Sequence, residues 1–137
     1  MKPYEIAQKE IGVKEVKGGE NPRILEYHDC TTLNANEDEV PWCSAFVNWC
    51  CERAGVKGTG LANARSWLKW GEAIGEPMEG CIVVLRRPPN PESGHVGFFV
   101  RQLSSMIEVL GGNQGDQVKK SWYHASDVIS YRAEKAQ

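Results

Sequence analysis

The hydrophobic period of this chain changes once, at Gly80, and that change sets the order of its architecture. Before Gly80 apolar residues recur at helical spacing; after it they run in short blocks rich in β-branched residues. Tyr4, Ala7 and Ile11 share one face of a helix expected over residues 3–11 and ended by Gly12. Asn21-Pro22 reads as an N-cap followed by proline at the first helical position, opening a short helix with Ile24, Leu25 and Tyr27. From Pro41 to Gly55, Phe46, Val47, Cys50 and Ala54 repeat at helical spacing. That segment is apolar around most of its circumference, so it is expected to be the central, buried helix, with Gly55 just past its end. A further helix over residues 62–70 would bury Ala64, Trp67 and Leu68 and stop at Gly71.

Beyond Gly80, Cys81-Ile82-Val83-Val84-Leu85 reads as a strand covered on both faces. Residues 94–100 and 106–110 read as two more, and a weaker strand over 128–132 completes the sheet. Pro88, Pro89 and Pro91 make residues 86–93 an expected loop. Helices first and antiparallel strands second define an α+β class, with N-terminal helices packed on a small antiparallel sheet. A length of 137 residues suits a single catalytic domain, residues 1–137.

Charge narrows the function. Sixteen Lys and Arg against 18 Asp and Glu leave −2, without the basic field of a general nucleic-acid binder. No apolar stretch approaches the roughly 18 residues needed to span a bilayer. Met1-Lys2-Pro3-Tyr4-Glu5 lacks the charged-then-apolar pattern of a secretory signal, so a chain that is cytoplasmic when synthesised is expected. The five cysteines (Cys30, Cys43, Cys50, Cys51 and Cys81) are odd in number, which argues against a disulfide framework. The lack of a CxxC pair argues against structural zinc. What remains is thiol chemistry or burial.

Position separates these cysteines. Cys43 stands at the predicted start of the central helix, where unpaired N–H groups and the helix dipole favour a thiolate; Cys50 and Cys51 lie two turns further on. His95, at the entry of a buried strand, is the natural imidazole partner; His28 and His124 have no comparable setting and read as partly exposed. A third residue should orient the imidazole, and either Asn113 or Glu108, at or just after the next strand, is placed for it. The order cysteine on helix, histidine on strand, polar residue on the following strand is the layout of papain-like catalysis.

The blocks Glu26-Tyr27-His28, Pro41-Trp42-Cys43-Ser44-Ala45-Phe46-Val47-Asn48-Trp49, Ala64-Arg65-Ser66-Trp67-Leu68-Lys69-Trp70-Gly71, Gly94-His95-Val96-Gly97-Phe98 and Leu110-Gly111-Gly112-Asn113-Gln114 resemble the CHAP-like proteins. These are cysteine, histidine-dependent amidohydrolases and peptidases, relatives of the NlpC-type cell-wall peptidases in the papain-like group. The likeness covers nearly the whole chain. It departs where the family has Gly-Asp opening the first strand and this chain has Gly80-Cys81.

The resemblance implies a papain-like fold and hydrolysis of peptidoglycan amide bonds, as an N-acetylmuramoyl-L-alanine amidase or a stem-peptide endopeptidase, with a phage endolysin the leading reading. It implies Cys43 as nucleophile, His95 as general base and acid, and Asn113 as third member, with Glu108 as the alternative. The Cys43 backbone N–H is the expected oxyanion donor, and Tyr27, matching an upstream tyrosine of related peptidases, the second. Trp42, beside Cys43, is the expected substrate-groove residue, while Trp67 and Trp70 read as core. Some relatives bind calcium just before the nucleophile, where Asn34, Asn36 and Asp38 alternate. A full calcium site takes about six or more oxygens, so a solvated acidic loop and no cofactor are expected. The expected partner of a monomeric enzyme is bacterial peptidoglycan, reached after release from the cytoplasm, with no nucleic acid and no membrane insertion. The alternatives are a secreted bacterial cell-wall toxin of the same chemistry and a non-catalytic wall-binding protein on the same scaffold.

Overall fold

The computed structural model describes residues 1–17, 19–32 and 42–135. Among the described residues three α-helices precede the sheet: α1 (Pro3–Lys9), α2 (Pro22–His28) and α3 (Cys43–Arg53). Proline opens both α1 and α2, and the Asn21 side chain caps α2 by accepting from the Arg23 N–H. Every residue of α3 from Cys43 to Cys51 is buried, so the expected central helix is present. Gly55 follows its end at φ +75, in the left-handed region that glycine adopts without strain. The expected helix over 62–70 is a 3-10 helix, Ala64–Lys69, whose six residues give way to extended backbone at Trp70.

Six strands follow: β1 (Glu72–Ile74), β2 (Ile82–Arg87), β3 (Asn90–Leu103), β4 (Met106–Gly111), β5 (Lys119–His124) and β6 (Val128–Ala133). They form one antiparallel sheet in the order β1-β6-β2-β3-β4-β5. The class is α+β, as expected from the change of period. Residues 86–93 are not a free loop: β2 and β3 continue towards a turn at Pro88-Pro89, with Arg87 opposite Asn90. Residues 91–93 pair with nothing in that register, so no ladder bond is asked of Pro91.

The sheet buries both faces. Ile82, Val84, Val96, Phe98 and Leu110 pack against α1, α2 and α3 around Tyr27, Phe46 and Val47. Val83, Leu85, Phe99, Ile107 and Val109 form a second cluster on the opposite face with Tyr123 and Tyr131. Two covered faces explain why residues 81–85 are apolar without alternation. The 3-10 turn after β5, Ala125–Asp127, comes back against β2, where Asp127 pairs with Arg86 at 2.9 Å. His95 pairs with Leu85 of this second cluster.

Candidate active site

Cys43 is the first residue of α3. Its N-cap, Trp42, supplies no side-chain bond to the first turn, so the first amides of the helix have no partner within it. The thiol hydrogen-bonds His95 and accepts from the Val96 N–H. Burial alone would push this thiol up, but the His95 charge, these two hydrogen bonds and the more distant Arg87 charge hold it below its ordinary value. All five cysteines are free. Burial pushes Cys50 and Cys81 up and raises Cys30 and Cys51 to about 12. Electrostatics thus singles out Cys43.

His95 lies opposite Leu85 on β3 and is 3% exposed. Its Nε2 stands 2.8 Å from Gln114 Oε1. The orientation of that amide is set by its other end: Gln114 Nε2 donates to the Val109 and Lys119 carbonyls at 3.1 and 2.6 Å. Oε1 therefore accepts from the His95 Nε2–H, which leaves Nδ1 as the ring nitrogen for the thiol. Gly111 makes room for this pair. A Cβ there would come within 2.6 Å of Gln114 Oε1 and 3.3 Å of His95 Nε2. At Gly112 a Cβ would come within 2.6 Å of the Trp42 ring and 2.8 Å of Phe46. The two glycines are close-approach positions between the end of β4 and the site.

Tyr123 of β5 stacks on the His95 imidazole, with ring centroids 5.3 Å apart at 27°. Burial pushes its phenol up to about 12, opposed by the Arg87 charge and assisted by Cys43. Arg87 is exposed at the end of β2.

The structure brings Cys43 and His95 together and places Gln114, rather than Asn113, on the imidazole. Asn113 adopts φ +58, a half-buried turn residue in the left-handed region that asparagine tolerates. Glu108 alternates with Ile107 and Val109, so it projects from the other face of β4, where it pairs with Arg101 at 2.9 Å. Tyr27 is fully buried, its ring against Trp42, Phe46 and Trp49 and its hydroxyl donating to Glu10 at 2.7 Å. That hydroxyl proton is committed, so the oxyanion assignment of Tyr27 has no support in the geometry.

Trp42 is likewise buried, its indole N–H donating to Glu15 at 2.6 Å; it backs the site as core and does not line a groove. His28, expected to be partly exposed, is 1% exposed. Asn34, Asn36 and Asp38 lie outside the described residues. Among the described residues no group of three His, Cys, Asp or Glu side chains is arranged to hold a metal, and no helix is long and apolar enough to cross a membrane.

Sequence reasoning missed Gln114, Tyr123 and Arg87. Gln114 sat one position beyond the residue chosen. Tyr123 lies in a strand whose burial alternates from Lys119 to His124, a signal diluted by two lysines. Nothing in the sequence marks Arg87.

A family model, the CHAP domain, matches residues 35–113, more than half the chain and the part that carries Cys43 and His95. The chain belongs to the CHAP domain family. Among solved structures it is similar to an NLP/P60-family protein of Staphylococcus aureus, described as similar to lipoprotein. The TM-score is 0.58 over 98% of this chain, at 17% identity. The match takes in 41% of that structure's chain, so this protein spans less than half its length, and the likeness is one of fold. No curated protein matches the chain. The CHAP/NlpC-type architecture expected from the sequence is thus borne out.

Proposed function

We propose that this protein hydrolyses an amide bond of bacterial peptidoglycan with Cys43 as nucleophile, His95 as general base and acid, and Gln114 as the residue that orients the imidazole. The observation that carries this reading is the continuous hydrogen-bonded series from the Cys43 thiol through His95 to Gln114 at the start of a buried helix. Membership of the CHAP family supports peptidoglycan as the substrate class.

In the proposed reaction the thiol proton passes to His95 and the sulfur adds to the amide carbonyl. The resulting oxyanion sits at the first-turn amides of α3, beginning with Cys43 N–H. His95 gives its proton to the departing amine as the C–N bond breaks, leaving a thioester on Cys43. The imidazole then takes a proton from water, hydroxide adds to the thioester, and the carboxylic acid and thiol are released. Gln114 stays neutral throughout; its oxygen keeps the Nε2–H in place, so Nδ1 is the nitrogen that exchanges protons.

The proposed role is lytic, that of an endolysin working on the wall after its release from the cell that made it. Purified peptidoglycan digested with the protein tests the chemistry. Mass spectrometry of the products should show new amine and carboxyl termini: released whole stem peptides identify an amidase, shortened stems an endopeptidase. Intact muropeptides after prolonged digestion would overturn the reading.

A further inference from the structure

We infer that Glu15 is a positioning residue for Cys43: through the indole N–H of Trp42 it sets the nucleophile's helix against the segment that carries Gln114. The inference goes beyond the hydrolase reading and rests on it for the role of Cys43.

Trp42 is one end of this device. It directly precedes Cys43, and its backbone is not yet helical, at φ −131 and ψ 20. A shift of this indole therefore carries the first turn of α3, and the thiol, with it. The ring is fully buried and stacks on Tyr27, with centroids 5.7 Å apart at 28°. Apolar burial of this kind is non-directional, so it leaves the ring free to slide in its own plane. The polar edge removes that freedom: Nε1–H donates to Glu15 Oε1 at 2.6 Å, a short bond of the kind carboxylate acceptors make.

Glu15 is the other end. Residues 12–15 run antiparallel beside residues 116–118, with Lys14 opposite Gln117. The Gly12 N–H donates to the Val118 carbonyl at 2.9 Å, the Val118 N–H to the Val13 carbonyl at 2.7 Å, and the Glu15 N–H to the Asp116 carbonyl at 2.9 Å. The Gln117 carbonyl in turn accepts from the Gln114 N–H at 3.0 Å. The carboxylate that grips Trp42 and the amide that grips His95 thus stand on one hydrogen-bonded patch of backbone.

Two arms leave that patch, one reaching the nucleophile through Trp42 and the other the imidazole through Gln114. A reacting pair has to be held within about 0.5 Å of its productive geometry, and side chains locked by further hydrogen bonds do this better than packing alone. Glu15 acts through Trp42 and not on the reacting atoms, so its contribution is the registration of Cys43 against His95.

The test reads Cys43 in the full chain in two ways. The first is kcat and KM on soluble peptidoglycan fragments, expressed per Cys43 that iodoacetamide can alkylate. The second is the pH at which that alkylation levels off. Glu15→Leu removes the acceptor and should lower kcat on the order of ten-fold, with KM within about two-fold of the parent. Its alkylation profile should move towards alkaline pH, because a mis-set imidazole favours the thiolate less while burial still opposes it. Glu15→Gln keeps the side-chain oxygen and should restore most of both. Trp42→Phe keeps a ring on Tyr27 and loses the N–H. It should fall to the level of Glu15→Leu, and the double variant should fall no lower, since both changes break one bond.

A lower unfolding midpoint in Glu15→Leu and Trp42→Phe, with kcat and the thiol profile of the parent, overturns the inference and leaves Glu15 a structural residue. Losses of kcat that add in the double variant overturn it too. Should the parent leave the fragments intact, the hydrolase reading falls, and the alkylation profiles alone then decide whether Glu15 positions the thiol.

Discussion

The side-chain oxygen of Gln114 accepts the Nε2–H of His95 at 2.8 Å, and the same amide spends its NH2 group on the Val109 and Lys119 carbonyls. A residue held at both ends in this way cannot rotate to offer nitrogen to the imidazole. The backbone of β4 and β5 therefore fixes the tautomer of His95. A free side chain at the same distance would give one hydrogen bond without that constraint.

The first prediction follows from that arrangement. Gln114→Ala should reduce turnover about ten-fold or more, because an unanchored imidazole forfeits much of general acid–base catalysis. Asn113→Ala should cost less than about three-fold, since its side chain does not reach the ring and its part is to tolerate a left-handed turn. Turnover of both variants on peptidoglycan decides the matter, and a larger loss from Asn113→Ala would return the third position to asparagine.

Gly111 gives a sharper test of the same contact. A Cβ at this position would crowd Gln114 Oε1 and His95 Nε2 together, and neither is the end of a freely moving chain. Gly111→Ala should therefore lower turnover strongly while costing only about 1–3 kcal/mol of stability, the usual range for overpacking. Gly112→Ala meets Trp42 and Phe46 instead, so its effect should fall mainly on stability. Denaturant midpoints and turnover measured side by side separate the two.

These glycines show how far the sequence could be read. The change of period at Gly80 exposed the α+β order because helical spacing and β-branched runs are local signals. The position of Cys43 at a helix start was legible for the same reason. The partner of His95 was not: Asn113 and Gln114 are adjacent polar residues after two glycines, and only the left-handed turn at Asn113 decides which of them faces the ring. Tyr27 and Trp42 misled because aromatic residues beside a nucleophile suit a groove and a core equally well in sequence. Burial against Phe46 and Trp49 is a tertiary fact. Arg87 depended on a turn through Pro88-Pro89 that lets β2 run two residues further than its apolar block.

Tyr27→Phe separates a structural tyrosine from an oxyanion donor. Removing the hydroxyl leaves Glu10 without one donor, although Arg23 still reaches that carboxylate at 3.2 Å. Stability should fall by about 1–2 kcal/mol, the range for a lost buried hydrogen bond, with turnover per folded molecule within about two-fold of the parent. A loss of turnover of a hundred-fold at unchanged stability would place the hydroxyl at the reacting carbonyl instead.

The last prediction concerns pH. Burial opposes ionisation of Cys43, and the thiol is nevertheless held below its ordinary value, chiefly by the His95 charge and hydrogen bond. Alkylation of Cys43 by iodoacetamide should therefore rise with pH and level off below the range of an ordinary thiol, while Cys30 and Cys51, raised to about 12, stay unreactive. His95→Ala removes the favourable charge and leaves the burial cost in place, so the sign of the shift reverses. Its Cys43 profile should move towards alkaline pH by about one unit or more. Hydrolysis in the parent should follow a bell, because the proposed first step needs both a deprotonated sulfur and a proton on the imidazole for the leaving amine. Cys43→Ser should abolish hydrolysis, since the hydroxyl is far less acidic than the thiol; Cys50→Ser, a core substitution in the middle of α3, should lose stability and keep activity. A Cys43 profile that does not move in His95→Ala would show that the imidazole does not hold the thiolate, whatever their separation.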